Sequence, residues 1–454
     1  MDKRYQAYTL ALPPFAHHAI NLLEDSGFEA WCVGGYVRDT LRGQSANDID
    51  IATSAPWQKV QNIFESAGYH TFETGVQHGT LTVSLDSNTI EITTFRRDSQ
   101  YSDARHPDTV VYLDTIEEDL ARRDFTINAI AYSPKRGLCD PFGGLADINK
   151  GIIRAVGLPA QRFSEDALRI LRGCRFVSQL GFLLEKQTSE AMNETKELLD
   201  KIAVERISHE LDMLFTGNHV HRAIMDCIDI LAQVIPEALP MKKFDQLTPY
   251  HIYDVLEHSA YCMQYCPPDS LIRWAAFFHD IGKPASFFTD DAGIGHFYGH
   301  AKVSVEIATK VLRRLKISPA FTKKLLLLVK HHDDIIPATP KAVKHALRKL
   351  DESPTLFRSL CSLKIGDAMA QAPHCHERVS LAKDLLKTLD EILAENAAFS
   401  LKDLAINGND VIACGVSPGP EVGTLLASAL DAVIDDEVPN EQKALIDFIK
   451  TRIT

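Results

Sequence analysis

The chain has 454 residues, 45% of them hydrophobic, and a net charge of −13. That length exceeds one ordinary core, so several domains are expected, and the acidic balance excludes a protein that coats nucleic acid indiscriminately, because affinity for a phosphate backbone comes from lysine and arginine. No apolar run reaches the roughly 20 residues of a membrane helix, the opening residues carry no leader-like apolar stretch, and the nine cysteines show no C-x-x-C spacing, so we expect a cytoplasmic protein without membrane contact and with reduced, mostly buried thiols.

The spacing predicts a helix over 14–27 closed by Gly27, then strands at 30–33, 48–52, 69–73, 80–85 and 89–95 that form a small sheet. Gly34 and Gly35 follow the apolar run Trp31-Cys32-Val33 and are placed to end a strand and open a helix, where free backbone N–H groups can hold phosphate oxygens. Arg38, one turn on, adds a charge-assisted contact. Asp48 and Asp50 alternate with Ile49 and Ile51, which puts both carboxylates on one strand face with the isoleucines in the core. Two hard oxygen ligands on one edge suit Mg²⁺. A lone Asp-x-Asp can be a polar strand face and a lone Gly-Gly a tight turn; in this order and span they describe a site for a triphosphate beside a metal.

Glu91, in Thr89-Ile90-Glu91-Ile92-Thr93, is either a third catalytic carboxylate or a solvated strand residue. Arg96 and Arg97 end that strand and are candidate triphosphate contacts. The run Arg122-Arg123-Asp124-Phe125-Thr126-Ile127-Asn128-Ala129 reads as the start of a helix whose cations, carboxylate and amide either hold a ribose or cap the helix.

From about 157 the period becomes helical, with Ala167, Leu168, Ile170, Leu171, Cys174, Phe176 and Val177 on an apolar face. Arg154, Arg162, Arg169, Arg172, Arg175 and Lys186 offer the local basic patch that a nucleic acid would need, or a solvated helix face. Asp166 and Arg169, three positions apart, are expected on one helix face. An Asp that accepts from an exocyclic amino group and an Arg that donates to a ring nitrogen fit cytosine and adenine, whereas uracil and guanine present the opposite polarity. The unpaired groups of a mismatch discriminate by about 1–3 kcal/mol per pair.

A break is expected near Leu247-Thr248-Pro249-Tyr250-His251-Ile252, followed by a histidine-rich stretch to about 375. His258, the doublet His279-Asp280 and Asp367 follow the order of the HD phosphohydrolase signature, within Phe277-Phe278-His279-Asp280-Ile281-Gly282-Lys283-Pro284. An imidazole and a carboxylate from one doublet can share a divalent transition metal with a distant His and Asp. His300 and the doublet His331-His332 could hold a second metal, with Lys283 near a scissile phosphate.

These motifs together resemble the bacterial class II tRNA nucleotidyltransferases, the CCA-adding enzymes of the polymerase-β superfamily. The glycine pair with Arg38, Asp39, Asp48 and Asp50 is similar to the family's first motif, and residues 122–129 to its ribose motif. Asp140-Pro141-Phe142-Gly143-Gly144 is similar to its hinge-like motif, and 165–172 to the amino-acid template that reads cytosine and adenine. Glu205-Arg206-Ile207 with Glu210-Leu211 resembles a structural motif of the neck. Thr74-Gly75-Val76-Gln77-His78-Gly79-Thr80 resembles the CCA-type sequence rather than that of poly(A) polymerases. Residues 98–107 resemble the loop that family members need to switch from C to A, and 404–410 and 418–423 resemble the C-terminal segment.

The resemblance implies an α+β protein: a small mixed-sheet nucleotidyltransferase head over 1–155, an all-helical neck and body over 156–248, a helical HD domain over 249–380, and a helical tail over 381–454. It implies template-independent addition of CCA to the tRNA acceptor arm from CTP and ATP, with Mg²⁺ on Asp48 and Asp50 and with Glu91 as a further catalytic carboxylate. Gly34, Gly35, Arg38, Arg96, Arg123, Asp124, Asn128, Asp166, Arg169 and Arg172 would bind the nucleotide. HD phosphohydrolase activity on RNA ends is expected beside it. The alternatives are an A-adding enzyme, a poly(A) polymerase, chiefly an HD phosphohydrolase, or an RNA-binding module with silent sites. The sequence leaves the oligomeric state open.

Overall fold

The computed structural model describes residues 5–46, 48–76, 79–85, 87–98, 110–395 and 397–453. Two compact units divide them: residues 1–214 with 229–234, and residues 215–228 with 235–454. The architecture is mixed α+β, a small sheet followed by a largely helical remainder.

The first unit opens with α1 (Pro14–Asp25), β1 (Ala30–Val33), α2 (Gly35–Leu41), β2 (Asp50–Thr53), α3 (Trp57–Ser66), β3 (His70–Gly75), β4 (Thr80–Leu85) and β5 (Asn88–Thr94). A short ribbon of β6 (Arg96–Asp98) and β7 (Val110–Tyr112) precedes α4 (Ile116–Ala121), β8 (Ala131–Ser133) and β9 (Gly137–Cys139). The main sheet runs β3-β4-β5-β2-β1-β8-β9, with β2 and β5 parallel and its other pairs antiparallel. The five strand regions read from the sequence all lie in it. The pair β8–β9 was not anticipated, because three-residue strands are too short to show a period. Trp31, Val33, Ala52, Phe95, Ile116, Leu120 and Ala131 bury one core, each large side chain contributing about 1.5–3 kcal/mol by leaving water.

Asp48 lies outside the regular strand, which begins at Asp50. The alternation still holds, since Ile49 and Ile51 are buried while Asp48 and Asp50 are exposed. Beyond the sheet come α5 (Gly144–Lys150), β10 (Ile152–Ile153), α6 (Pro159–Glu165), α7 (Leu168–Leu180), β11 (Leu183–Leu184), α8 (Lys186–Glu194), α9 (Val204–Phe215) and α10 (Val220–Val234). A Cβ on Gly144 would collide with the Thr126 carbonyl, so glycine lets α5 press against the 126–128 turn. Asp140 caps α5 by accepting from the Gly144 and Leu145 amides at 2.7 and 2.9 Å. The hinge-like motif of the sequence is thus a packed, capped helix start in this structure.

The second unit is helical, with α11 (Val255–Tyr265), α12 (Ser270–Phe278), α13 (Lys283–Ser286), a hairpin of β12 (Phe288–Thr289) and β13 (Gly295–His296), α14 (His300–Arg314), α15 (Pro319–His331), α16 (Pro340–Lys349), α17 (Pro354–Met369) and α18 (Glu377–Ala394), then α19 (Gly408–Ala413), α20 (Pro420–Ile434) and α21 (Gln442–Lys450). Three helices start alike: Ser318, Thr339 and Ser353 accept from the third amide on, and Pro319, Pro340 and Pro354 follow them. The hydroxyl satisfies an orphan N–H and proline presets φ where no amide is needed. All nine cysteines are free thiols, eight of them buried. Among the described residues no helix is long and apolar enough to cross a membrane. The C-to-A loop, apart from Asp98, and Gln77 with His78 lie outside the described residues.

Candidate active site and candidate metal centre

A cavity of about 590 Å³ in the first unit is walled by Gly34, Gly35, Arg38, Asp50, Arg96, Arg123, Asp124, Asn128, Asp166, Arg169 and Arg172. Thus the sequence-predicted nucleotide residues and one predicted metal ligand meet there. Gly34 adopts φ +74, and a Cβ on it would sit 3.5 Å from Asp50 Oδ2 and 3.4 Å from Arg123 Nη1. Any larger residue would be strained by the positive φ, while its Cβ would make only ordinary contact with these groups.

Asp50 and Glu91 are register partners on the parallel strands β2 and β5, so both carboxylates leave one sheet face. The protein around the cavity limits hydration of the Asp50 carboxyl, though the residue is exposed to solvent, and pushes it up to about 6; Arg123 opposes this, while Glu91 and Asp48 add to it. A raised carboxyl with two further carboxylates beside it is what a divalent cation relieves, so the residues fit Mg²⁺. Asp48 and Glu91 do not themselves wall the cavity.

The run 122–129 does not open a helix. It follows α4 and ends in a 3₁₀ turn, Thr126–Asn128. The reason is side-chain competition: Asp124 Oδ1 accepts from the Phe125 amide at 2.8 Å and from Asn128 at 3.0 Å. Asn128 Oδ1 accepts from Arg38 Nη1 at 2.7 Å, and Arg172 Nη2 reaches Asp124 Oδ2 at 2.6 Å. Burial would raise the Asp124 carboxyl, but Arg172 and the hydrogen bonds hold it well below the carboxylate range. Asp119, fully buried, holds Arg122 and Arg123 at 2.8 and 3.2 Å.

Asp166 and Arg169 do not share a helix. Asp166 sits in an extended conformation at the end of α6, and α7 starts at Leu168. The Asp166 carboxylate accepts from the Leu168 amide at 3.1 Å, which breaks the helix at this point. Its other oxygen faces Arg206 at 3.2 Å. Arg169 donates to Glu165 and to the carbonyls of Arg162 and Arg122 at 2.8–3.0 Å. Both groups still wall the cavity, fixed by these partners instead of by helix period.

Sequence reasoning gave no cavity role to Phe176, Gln179 or Arg206. The Phe176 ring lies 5.3, 5.6 and 4.6 Å from the guanidinium carbons of Arg38, Arg172 and Arg175, a packing that orients three cations. Burial and Arg172 lower the Arg175 guanidinium to about 10, against the pull of Glu210. Only the arginine spacing on α7 could have signalled this.

The second unit has its own cavity of about 690 Å³, and Asp280, His300, His332, Asp367 and Lys283 wall it. His258 comes from α11, His279 from the end of α12, His300 from the start of α14, His332 from the end of α15 and Asp367 from α17. Asp280 Oδ2 lies 3.2 Å from His258 Nε2 and 3.1 Å from His279 Nε2, while its Oδ1 lies 3.3 and 3.7 Å from the Nε2 atoms of His300 and His332. Asp367 completes the first group at 3.1 Å from His258.

All four imidazoles place Nδ1 on a backbone carbonyl, Ala370, Ala276, Phe297 and Val329 respectively, at 2.7–3.2 Å. A carbonyl only accepts, so Nδ1 carries the proton and Nε2 offers its lone pair. Those lone pairs face each other at 3.3 Å (His258–His279) and 3.2 Å (His300–His332). Nε2 atoms this close to each other and to carboxylate oxygens need a proton or a cation between them, and the donor set fits divalent ions that His258, His279, Asp280 and Asp367 and, beside them, Asp280, His300 and His332 would hold. Without such ions, burial lowers His258 but its bonds to Asp280 and Asp367 raise it to about 9.

His331 is not in the cluster. Its Nδ1 pairs instead with Asp334 at 3.0 Å, because neighbours on a helix point about 100° apart. His251 was also missed; it stands edge-on to His258 with ring centroids 4.7 Å apart.

Residues 30–154 match a family model described as the poly(A) polymerase head domain. Residues 181–241 match one for an "RNA and SrmB- binding site of polymerase A", and residues 288–449 one for the second domain of tRNA nucleotidyltransferases. The chain is 33% identical over 437 residues to a CCA-adding enzyme of Lactiplantibacillus plantarum, covering 95% of this chain and 94% of that one. It is 34% identical over 446 residues to a CCA-adding enzyme of Lactobacillus delbrueckii subsp. bulgaricus, covering 98% of both. Among solved structures, the Bacillus stearothermophilus CCA-adding enzyme in complex with CTP superposes with a TM-score of 0.76 at 28% identity, over 97% of this chain and 98% of that one. The Thermotoga maritima CCA-adding enzyme complexed with tRNA shares the fold, with a TM-score of 0.58 at 20% identity over 98% and 97% of the two chains.

Proposed function

The chain belongs to the CCA-adding enzyme family of tRNA nucleotidyltransferases, and from that premise we propose that it adds C, C and A to the 3′ end of tRNA from CTP and ATP. The observation that carries this is the single cavity walled by Gly34, Arg38, Asp50, Arg123, Asp166 and Arg169. Asp48 and Asp50 would hold Mg²⁺, with Glu91 beside them. When bound, the ion favours the RNA 3′-hydroxyl as a nucleophile and offsets charge on the leaving pyrophosphate. Gly34 and Gly35 turn amide donors toward the triphosphate. Arg38, Arg96 and Arg123 neutralise it, and Asp124 with Asn128 receives the ribose. Asp166 accepts from the amino group of cytosine or adenine while Arg169 donates to the ring, with Arg172 fixed behind them by Asp124. We read 1–155 as the head, 156–248 as neck and body, 249–380 as the metal-binding domain and 381–454 as the tail, the helical parts gripping the acceptor arm.

The test is extension of three tRNA transcripts, ending before the CCA, after C and after CC, with CTP and ATP supplied separately and together under Mg²⁺. Addition of C, C and A with a defined stop supports the reading. Extension of only the CC-ended transcript identifies an A-adding enzyme, and an unbounded A tail a poly(A) polymerase.

A second activity is favoured by the four imidazoles whose lone pairs converge on Asp280. We read His258, His279, Asp280, Asp367, His300 and His332 as ligands of divalent transition metals in an HD-type phosphohydrolase acting on a phosphorylated RNA end. Water oxygen would bond to phosphorus as the ester P–O bond breaks, releasing an alcohol and phosphate. Hydrolysis that persists in Asp50→Ala and vanishes in Asp280→Ala supports two independent centres.

A further inference from the structure

In the first cavity, the face of α7 gathers three like charges around one apolar ring. Phe176 is 3% exposed, and its centroid lies 4.6, 5.3 and 5.6 Å from the guanidinium carbons of Arg175, Arg38 and Arg172. Each cation also has its own carboxylate. Asp39 takes Arg38 through Nε at 3.0 Å and Nη2 at 2.7 Å, Asp124 takes Arg172 through Nε at 2.8 Å, and Glu210 takes Arg175 at 3.1 Å. Those pairs leave a mutual repulsion standing: besides burial, Arg172 and Arg38 both oppose the charge on Arg175.

The ring also closes a circuit. Arg38 Nη1 donates to Asn128 Oδ1 at 2.7 Å, Asn128 Nδ2 to Asp124 Oδ1 at 3.0 Å, and Arg172 Nε to Asp124 Oδ2 at 2.8 Å. Both ends of this chain, Arg38 and Arg172, return to Phe176. Phe125, next to Asp124 in the sequence, meets Phe176 with centroids 5.7 Å apart at 87°, an edge-to-face pair that fixes the ring. A Cβ on Gly173 would stand 3.1 Å from Phe125 Cζ, so the glycine one turn before Phe176 lets Phe125 reach this face of α7. Asp166 and Arg169 lie outside the circuit, held by Arg206, the Leu168 amide, Glu165 and two carbonyls. An aliphatic side chain would fill the same place in the core, but it would offer no negative π face to cations that repel one another.

We propose that Phe176 is a positioning residue for nucleotide addition: its ring holds Arg38 for the triphosphate and, through Arg172 and Asp124, the ribose pocket, while base selection runs independently of it. The proposal rests on the reading of the first cavity as the nucleotide site, and divides that site into a part governed by the ring and a part that is not. A cation–π contact gains strength where water is excluded, which is the condition of this buried ring. Weakening its negative face should therefore loosen the hold on phosphate and ribose and spare the choice of base.

The experiment replaces Phe176 in the full chain by mono-, di- and trifluorophenylalanine, which keep the shape of the ring and remove its negative face in steps. Phe176→Leu is the end point, and the fluorinated series keeps the test open if that variant is unstable. Calorimetry under Mg²⁺ reads binding of CTP, 2′-deoxy-CTP, UTP and pyrophosphate, and tRNA extension reads KM and kcat. Any nucleotide held in the second unit contributes equally to every variant. The dissociation constants of CTP and pyrophosphate should rise stepwise, by roughly tenfold at Phe176→Leu, with KM following and kcat kept. The preference for CTP over 2′-deoxy-CTP should shrink, and that for CTP over UTP should stay as in wild type. Affinities that ignore fluorination overturn the proposal, because packing alone then accounts for the ring. A preference for CTP over UTP that falls in parallel also overturns it, because the helix has then loosened as a whole. Wild type that binds CTP but extends no tRNA sinks the nucleotide-addition reading, while the affinity series still decides the role of Phe176. Wild type that binds neither CTP nor pyrophosphate overturns both.

Discussion

The two cavities handle charge in opposite ways. The first gathers fixed cations, Arg38, Arg123, Arg169, Arg172 and Arg175, around few carboxylates; the second gathers lone pairs, four Nε2 atoms around Asp280 and Asp367. Guanidiniums stay charged at neutral pH and are suited to a polyanion that arrives and leaves. Converging imidazoles need a cation that stays. On the proposed reading, one chain of net charge −13 carries a site for an anionic substrate and a site for resident cations, and variants should break each without the other.

The largest effect is expected at Asp50. Asp50→Ala should lower nucleotide addition by on the order of a thousandfold or more while RNA binding persists, measured by single-turnover extension and by filter binding. Because the wild-type carboxyl is raised to about 6, its protonated form competes with the ion below that pH. Addition should fall as pH drops through about 6, and higher Mg²⁺ should move that limb to lower pH. A limb that ignores Mg²⁺ would sink the assignment. Asp280→Ala is the counterpart: elemental analysis should find the bound transition metal lost and phosphoester hydrolysis gone, with CCA extension as before.

Both sets of residues were legible in the sequence to different depths. Period two predicted that Asp48 and Asp50 oppose Ile49 and Ile51, and the glycine pair predicted the start of α2, because local sterics decide both. The helix expected through Asp166 and Arg169 was not found, since a carboxylate bonding the Leu168 amide outweighs helical period and no spacing records that. The 122–129 run failed likewise through Asp124. Ser318-Pro319, Thr339-Pro340 and Ser353-Pro354 were readable start signals left unused. Arg206 reaches the cavity from α9, far beyond Arg172 in the chain, and a single sequence carries no sign of such tertiary approach, whereas Phe176 shares α7 with the arginines Arg172 and Arg175 that it packs against.

Behind the head cavity, Asp124 is the central carboxylate. It is buried, with Arg172 and Asn128 on it, so Asp124→Asn leaves Arg172 only the more distant Glu210, at 3.9 Å, and should cost about 3 kcal/mol. The depressed carboxyl contributes its stability above the unfolded value of about 4 and loses it as pH falls through the folded one. The stability gap between wild type and Asp124→Asn should therefore be full at neutral pH and shrink in acid, as read from denaturation midpoints. A gap that is constant with pH would mean the aspartate acts by packing alone. Arg206→Ala is a milder cut. It frees one oxygen of Asp166 without removing the carboxylate, and should relax discrimination of C and A against U by roughly tenfold with kcat for CTP reduced less.

The smallest effect separates neighbours in the second cavity. His331 and His332 are adjacent, yet only His332 turns Nε2 to Asp280 Oδ1, at 3.7 Å; His331 pairs with Asp334, which Lys349 also holds at 2.9 Å. His331→Ala should therefore cost about 1 kcal/mol of stability, as for one hydrogen bond of a buried imidazole that burial keeps neutral, and leave the metal content unchanged. His332→Ala should lower it, because the second group then keeps only His300 and one oxygen of Asp280, too few donors for a tight site. If the first group retains its ion on His258, His279, Asp280 and Asp367, elemental analysis of His332→Ala will read a partial loss where Asp280→Ala reads a complete one. Equal losses in the two variants would mean that a single ion is shared by all the ligands, and the bridge through Asp280 would have to be abandoned.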